Sequence, residues 1–392
     1  MEGMLNFLMP GSLWWEQIAG PSRLTAALEA SLAEGHGVIC EISSALSYRS
    51  VFRDNISHWA STMNVAAEQV ECDDYRGENI EGYLIKKLFP SQVNAYSRRQ
   101  SPLYMKNNRL LDGRLLWIRR VPAEYTKQWI QYISSYRSRD MLHGLFVMEV
   151  IQTDSQMKKA ASNLRFLSVF DYITKADLRL FVSISAEKLL EASDGIRQYV
   201  VELITDVCVA DAELAYQLLE IPEWYFDDPC SALVKLYQDE YADSPRGEEA
   251  WHPFALIRCG RLMDLNKRIW TAQIRIGYPK IEMERCRFIQ TRYDELTDAL
   301  NTRYCDIDEN DGRYFCDNEG NRYTDPYDME VGMICKLTGL IRADDGMRLF
   351  YIPDTEIRER LYLLRDCRNH LAHLEICPGN DFKKLLSDAA DV

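Results

Sequence analysis

Apolar residues concentrate in short, strand-length runs in the first half of the chain and in helical stripes in the second. Blocks at Val38–Ile42, Leu115–Val121, Leu145–Ile151, Phe166–Tyr172 and Leu178–Ser185 have strand length, and helical patterns separate most of them. Continuous rather than alternating apolar strands suit a sheet covered on both faces, and strand–helix alternation suits parallel pairing. The pattern predicts an α/β N-terminal domain over residues 1–188 with a mainly parallel sheet.

The period then changes to that of packed helices. Ile196, Val200, Leu203, Ile204 and Val207, followed by Leu214, Tyr216, Leu218 and Leu219, are spaced as core-facing helical residues. A polar run, Asp239–Glu249, reads as a break between two helical groups. The expected division is a helical linker domain over 189–250 and a mostly α-helical domain over 251–392. The latter carries an insertion at 304–353. Within it, Arg313–Cys316 and Asn321–Thr324 flank the turn-forming Asp317–Gly320, which predicts a small β-hairpin. Asp306–Gly312 invites a calcium-loop reading. An EF-hand loop wants glycine sixth and glutamate twelfth, however, and here those places hold Asp311 and Asp317. Cys305, Cys316 and Cys335 lack the paired spacing of a zinc site, so neither a metal nor a cofactor is expected.

Chemistry concentrates near the C-terminal end of the chain, in Leu364–Leu374. Asp354 or Thr355 can cap a helix there, and Pro378-Gly379 can end it. Ile357, Leu361, Leu364, Leu371 and Ala372 form an apolar stripe with Arg368 in its middle. A guanidinium on such a stripe needs an acid, a phosphate or a polar partner surface. His373, five residues on, points about 140° away from Arg368, so one helix cannot aim both at one atom. Asn369 lies four residues before His373 and on its side, where an amide can orient the imidazole.

The run Arg368-Asn369 to His373 resembles the Arg-polar-x3-His signature of the HEPN family, whose helical domains often dimerise and cleave RNA without a metal. That resemblance implies a homodimer bringing two copies of the helix face to face. His373 would then be general base on a ribose 2′-hydroxyl and Arg368 would hold the scissile phosphate. The structural alternative is an ion pair from Arg368 to Asp366, to Glu375 or to an acid on another helix, with His370 and His373 as surface residues.

The layout of the first half resembles the core of P-loop NTPases of the AAA or STAND kind, with Glu34–Cys40 opening where a first strand belongs. The residues such an enzyme uses are missing. After Val38–Ile42 the chain reads Ser43-Ser44-Ala45-Leu46-Ser47-Tyr48-Arg49, and Gly-Lys-Ser/Thr occurs nowhere. Leu115–Ile118 runs into Arg119-Arg120 where a metal-holding acid belongs. The resemblance implies a degenerate NTPase domain, without NTPase activity.

A 392-residue chain with 47% hydrophobic residues can bury a large core. Its net charge of -14 argues against nonspecific coating of nucleic acid. One basic stretch runs the other way, and Arg258, Arg261, Lys267, Arg268 and Arg275 are its candidate RNA contacts, interleaved with aromatic residues. Eleven cysteines scattered singly read as reduced thiols. No apolar window has the length of a membrane span, and a cytoplasmic location is expected. Two functions follow: a metal-independent endoribonuclease or toxin-type effector of bacterial antiphage defence, or a non-catalytic scaffold in a multi-protein defence or nucleic-acid-processing complex.

Overall fold

A computed structural model describes residues 9–99, 103–136, 144–151, 164–244, 246–302, 315–316 and 319–387. The chain divides into two compact units, both discontinuous in sequence. The first comprises residues 1–188, 208–218 and 243–255; the second comprises 189–207, 219–242 and 256–392. The 189–250 stretch, expected as a linker domain, contributes to both units.

The first unit is built on a five-stranded sheet in the order β2-β3-β4-β1-β5, made of β1 (Val38–Glu41), β2 (Ala66–Glu71), β3 (Arg114–Arg119), β4 (Leu145–Val150) and β5 (Arg165–Ser168). All four ladders are parallel, so the α/β expectation holds. Alternate residues of the central strands serve opposite faces. Ile39, Leu116, Ile118, Phe146 and Met148 join one core with Tyr83, Leu84 and Trp129. Trp117 points to the other face, edge-on to Phe52 at 5.7 Å between ring centroids, and Phe52 stacks on Trp15 at 4.4 Å. Helices α1 (Ala19–Ala33) and α2 (Arg49–Thr62) and α3 (Ile80–Leu88) and α4 (Thr126–Ser135) supply the flanking layers.

Two strand expectations need correction, and one strand was not anticipated. Leu178–Ser185 lies inside helix α5 (Lys175–Leu189), because its buried residues Leu178, Phe181, Val182, Ser185 and Ala186 follow helical spacing within an apolar-looking run. The Phe166–Tyr172 block is a strand only to Ser168, and Val169–Tyr172 turns into a helix. Strand β2 was missed. It sits at a sheet edge with only Val70 buried, so its Ala-Ala-Glu-Gln-Val-Glu sequence carries no apolar block.

The second unit is helical, as expected for the C-terminal part. Its elements include α6 (Asp194–Cys208), the 30-residue α7 (Leu262–Thr291), α8 (Val331–Leu337), α9 (Thr355–Ala372) and α10 (Gly379–Leu386). Tyr199, Phe226 and Phe382 form an aromatic cluster within it. Among the described residues the expected hairpin shows an antiparallel bridge, Cys316 to Arg322, with Tyr323 N–H donating to Phe315 O at 2.7 Å. Arg313, Tyr314 and the calcium-like Asp306–Gly312 lie outside the described residues.

Candidate functional site

The carboxyl ends of β1 and β4 are where an open parallel sheet offers a ligand crevice, and the loop leaving β1 is the place of a phosphate cradle. Here that cradle already holds an anion from the chain itself. Ser43 Oγ donates to Glu249 Oε1 at 2.7 Å, Ser44 N–H donates to the same oxygen at 2.5 Å, and Ser44 Oγ donates to Oε2 at 2.7 Å. Ser44 Oγ in turn accepts from Glu248 N–H at 3.1 Å. Burial raises the Glu249 carboxyl, but the hydrogen bonds from Ser43 and Ser44 outweigh it and hold the group below its ordinary range. A backbone amide and two hydroxyls thus do for a carboxylate what a phosphate loop does for a phosphoryl group.

The loop carrying Glu249 is pinned by a second, fully buried carboxylate. Asp211 accepts from Arg246 Nε at 2.9 Å and Nη2 at 2.5 Å, from Ser47 Oγ at 3.0 Å and from Leu214 N–H at 3.0 Å. His252 Nε2 lies 3.1 Å from Asp211 Oδ2, while His252 Nδ1 accepts from Phe254 N–H. With Nδ1 as acceptor from Phe254, Nε2 is the ring nitrogen that donates to Asp211. Arg246 Nη1 also reaches Glu213 Oε2 at 2.8 Å. Burial opposes the Asp211 charge, but Arg246 and then His252 reverse this and keep its carboxyl well below the usual range. Gly247 is required between them: it has φ +73°, and a Cβ there would meet His252 Nδ1 at 2.1 Å.

At the ends of β2, β3 and β4 lies Arg119, where the resemblance calls for a metal-holding acid and the sequence has none. It donates to Glu71 Oε1 at 2.6 Å and to Glu149 Oε2 at 3.4 Å, and Trp117 Nε1 donates to Glu149 Oε1 at 2.8 Å. Serine, histidine and aspartate do meet in this unit, but Ser47 contacts Asp211 and not His252. The arrangement lacks a nucleophile–base pair and is a fastener. Among the described residues no group of three His, Cys, Asp or Glu is placed to hold a metal ion.

The C-terminal motif lies in the second unit. Asp354 caps α9 through Glu356 N–H at 2.8 Å, as its sequence predicts. The helix stops at Ala372, and Leu374 takes a left-handed φ of +61°, well before Pro378. Arg368 is not in the buried stripe. Leu361, Leu364, Cys367 and Leu371 are the buried positions, so the apolar face runs through Cys367 and leaves Arg368 half-exposed on its flank. There it pairs with Glu330 at 2.6 Å. It lines a pocket of about 170 Å³ with Tyr278, Glu282, Tyr327 and Glu330, and His373 is not part of that lining. Asn369 and His373 are exposed, and His370 Nδ1 meets Glu375 at 3.0 Å. Arg368 and His373 therefore do not converge within one chain.

The basic stretch is largely engaged by its own unit. Arg261 pairs with Asp264 and Arg275 with Glu202 and Asp206, while Arg268 donates to Val207 O and Arg258 lies over the Tyr237 ring. Lys267 is exposed. Glu249, Arg246, Asp211 and His252 were not singled out by sequence. The Asp239–Glu249 break reads as a solvated loop, and the only signal within it is a glycine set among charges.

No family model matches this chain, and no curated protein matches it. Solved structures give faint similarity. Saccharomyces cerevisiae RIF2 is 10% identical over 65% of this chain and 85% of its own, with a TM-score of 0.30. A variant of Thermotoga maritima RuvB is 14% identical over 61% and 80%, with a TM-score of 0.27. A chain of Drosophila ORC bound to AT-rich DNA and Cdc6 is 11% identical over 96% and 72%, with a TM-score of 0.25.

Proposed function

We propose that this chain is a non-catalytic scaffold or adaptor subunit of a multi-protein defence or nucleic-acid-processing complex, built around a degenerate NTPase-like module. One observation carries the reading: the Glu249 carboxylate fills the cradle after β1. A phosphoryl group placed there would lie against that charge, and the loop after β1 carries no phosphate-binding lysine to hold it. The basic residue at the end of β3 points the same way, since Arg119 is spent on Glu71 and Glu149. Calorimetry with ATP and GTP in magnesium is the test. Heats of dilution alone are expected; micromolar, magnesium-dependent binding would overturn the scaffold reading.

A second reading is a HEPN-like, metal-independent endoribonuclease. It is favoured by Asn369 and His373 reaching solvent together, with Arg368 tied to Glu330 only by a partly exposed pair. Catalysis would need two copies of α9, with Arg368 of one chain meeting His373 of its partner. Incubation with total and transfer RNA in EDTA is expected to give 2′,3′-cyclic phosphate ends, with activity falling on dilution of the dimer. A magnesium requirement, or full activity as a monomer, would exclude this mechanism.

A further inference from the structure

Two cysteines bracket the Arg368–His373 motif and touch each other. Cys367, on the buried face of α9, and Cys377, just before α10, have their sulfurs 3.3 Å apart with both residues buried. A disulfide needs about 2.05 Å, so closing the bond takes little more than 1 Å of movement shared between two side chains. Neither partner hangs on a loose segment. Gln273 of α7, itself buried, grips the Cys377 backbone from both sides: its Nε2 donates to Cys377 O at 3.1 Å and its Oε1 accepts from Cys377 N–H at 2.8 Å. Trp270 Nε1 holds Leu371 O at 2.9 Å. The fold thus preorganises the two thiols. A pocket of about 440 Å³, lined by Cys230, Gln273, Ile376, Cys377 and Gly379 among others, opens beside Cys377.

We propose that Cys367 and Cys377 form an oxidative modification site, closed to an intrachain disulfide by a low-molecular-weight disulfide such as oxidised glutathione. One thiolate attacks the glutathione disulfide, forming a mixed disulfide and releasing one glutathione thiolate. The second cysteine thiolate then attacks the protein sulfur of that mixed disulfide and expels the other glutathione. Two protein thiols are oxidised, one glutathione disulfide is reduced to two thiols, and the two cysteine protons pass to the leaving thiolates. The bond closes a ring across 367–377 that contains Arg368, Asn369 and His373. The hydrogen bond that Cys377 donates to Cys367, together with burial, raises the Cys377 thiol, which slows thiolate attack in the folded chain.

The test is incubation of the full chain with oxidised glutathione, followed by intact-mass and non-reducing peptide mapping. The expected result is one peptide joining Cys367 to Cys377, two hydrogen atoms lighter than the two free-thiol peptides together, with amide exchange across 368–376 slowed about tenfold or more. The exposed Cys259 serves as an internal control that takes up glutathione. Cys230→Ser is expected to leave the link intact and Cys367→Ser to abolish it. Linkage of Cys377 to Cys230 would overturn the proposal, as would two unmodified thiols when Cys259 is fully glutathionylated. If Cys367→Ser does not fold, the wild-type linkage map decides by itself.

Discussion

Asp211 shows how much one side chain can organise. It is fully buried and accepts from a guanidinium, an imidazole, a hydroxyl and backbone amides, and so joins the loop after β1, the helix at Ala212–Glu220 and the Arg246–His252 segment. Asp211→Asn leaves Arg246 facing a neutral amide inside the protein, and the expected cost is about 3–5 kcal/mol of unfolding free energy. The pH dependence has a definite sign. The folded-state carboxyl is depressed, so its contribution is fully present above the unfolded-state value of about 3.9 and is lost as pH falls toward the folded value. Denaturant titrations of wild type and Asp211→Asn should therefore differ by a constant amount from about pH 5 to 7 and converge below about pH 4. A gap that widens on acidification would contradict the assignment of charge to Asp211.

Among the elements, what the sequence revealed depended on how burial was distributed. Strands β1, β3 and β4 are buried on both faces, and their apolar-rich runs announce them with ends off by one or two residues. Strand β2 lies at an edge with one buried residue, so hydrophobicity carried no trace of it. Helix α5 misled in the opposite direction: Leu178–Ser185 includes exposed Leu180 and reads as continuous, although its buried residues keep the helical period. In α9 the cap was legible from Asp354. The side on which Arg368 falls was not, because the stripe drawn through Leu364, Arg368 and Leu371 omits Cys367, which is the buried position there. The cradle was legible only as a deficiency, serines where glycine and lysine belong. Its occupant comes from a polar loop some two hundred positions away, and no local pattern links the two.

At the scale of the molecule, neither unit is a continuous stretch of chain. The sheet-bearing unit takes residues 208–218 and 243–255 from beyond its last strand, and these carry Asp211, Arg246, Glu249 and His252. A fragment ending at residue 188 keeps every strand of the sheet yet loses all the partners of Ser43, Ser44 and Ser47 described above. Such a fragment is expected to lack a cooperative thermal transition and to bind a hydrophobic dye, whereas the full chain melts sharply. A sharp melt of the short fragment would show that the Asp211 and Glu249 contacts are dispensable. The same feature sets a schedule for the living cell. Ser44 leaves the ribosome 205 residues ahead of Glu249. At ordinary synthesis rates of about 5–20 residues per second, that loop waits roughly 10–40 s with its amide and hydroxyls unfilled. For that interval translation speed, rather than thermodynamics, decides how long a chaperone or a stray anion has access to the unfinished module.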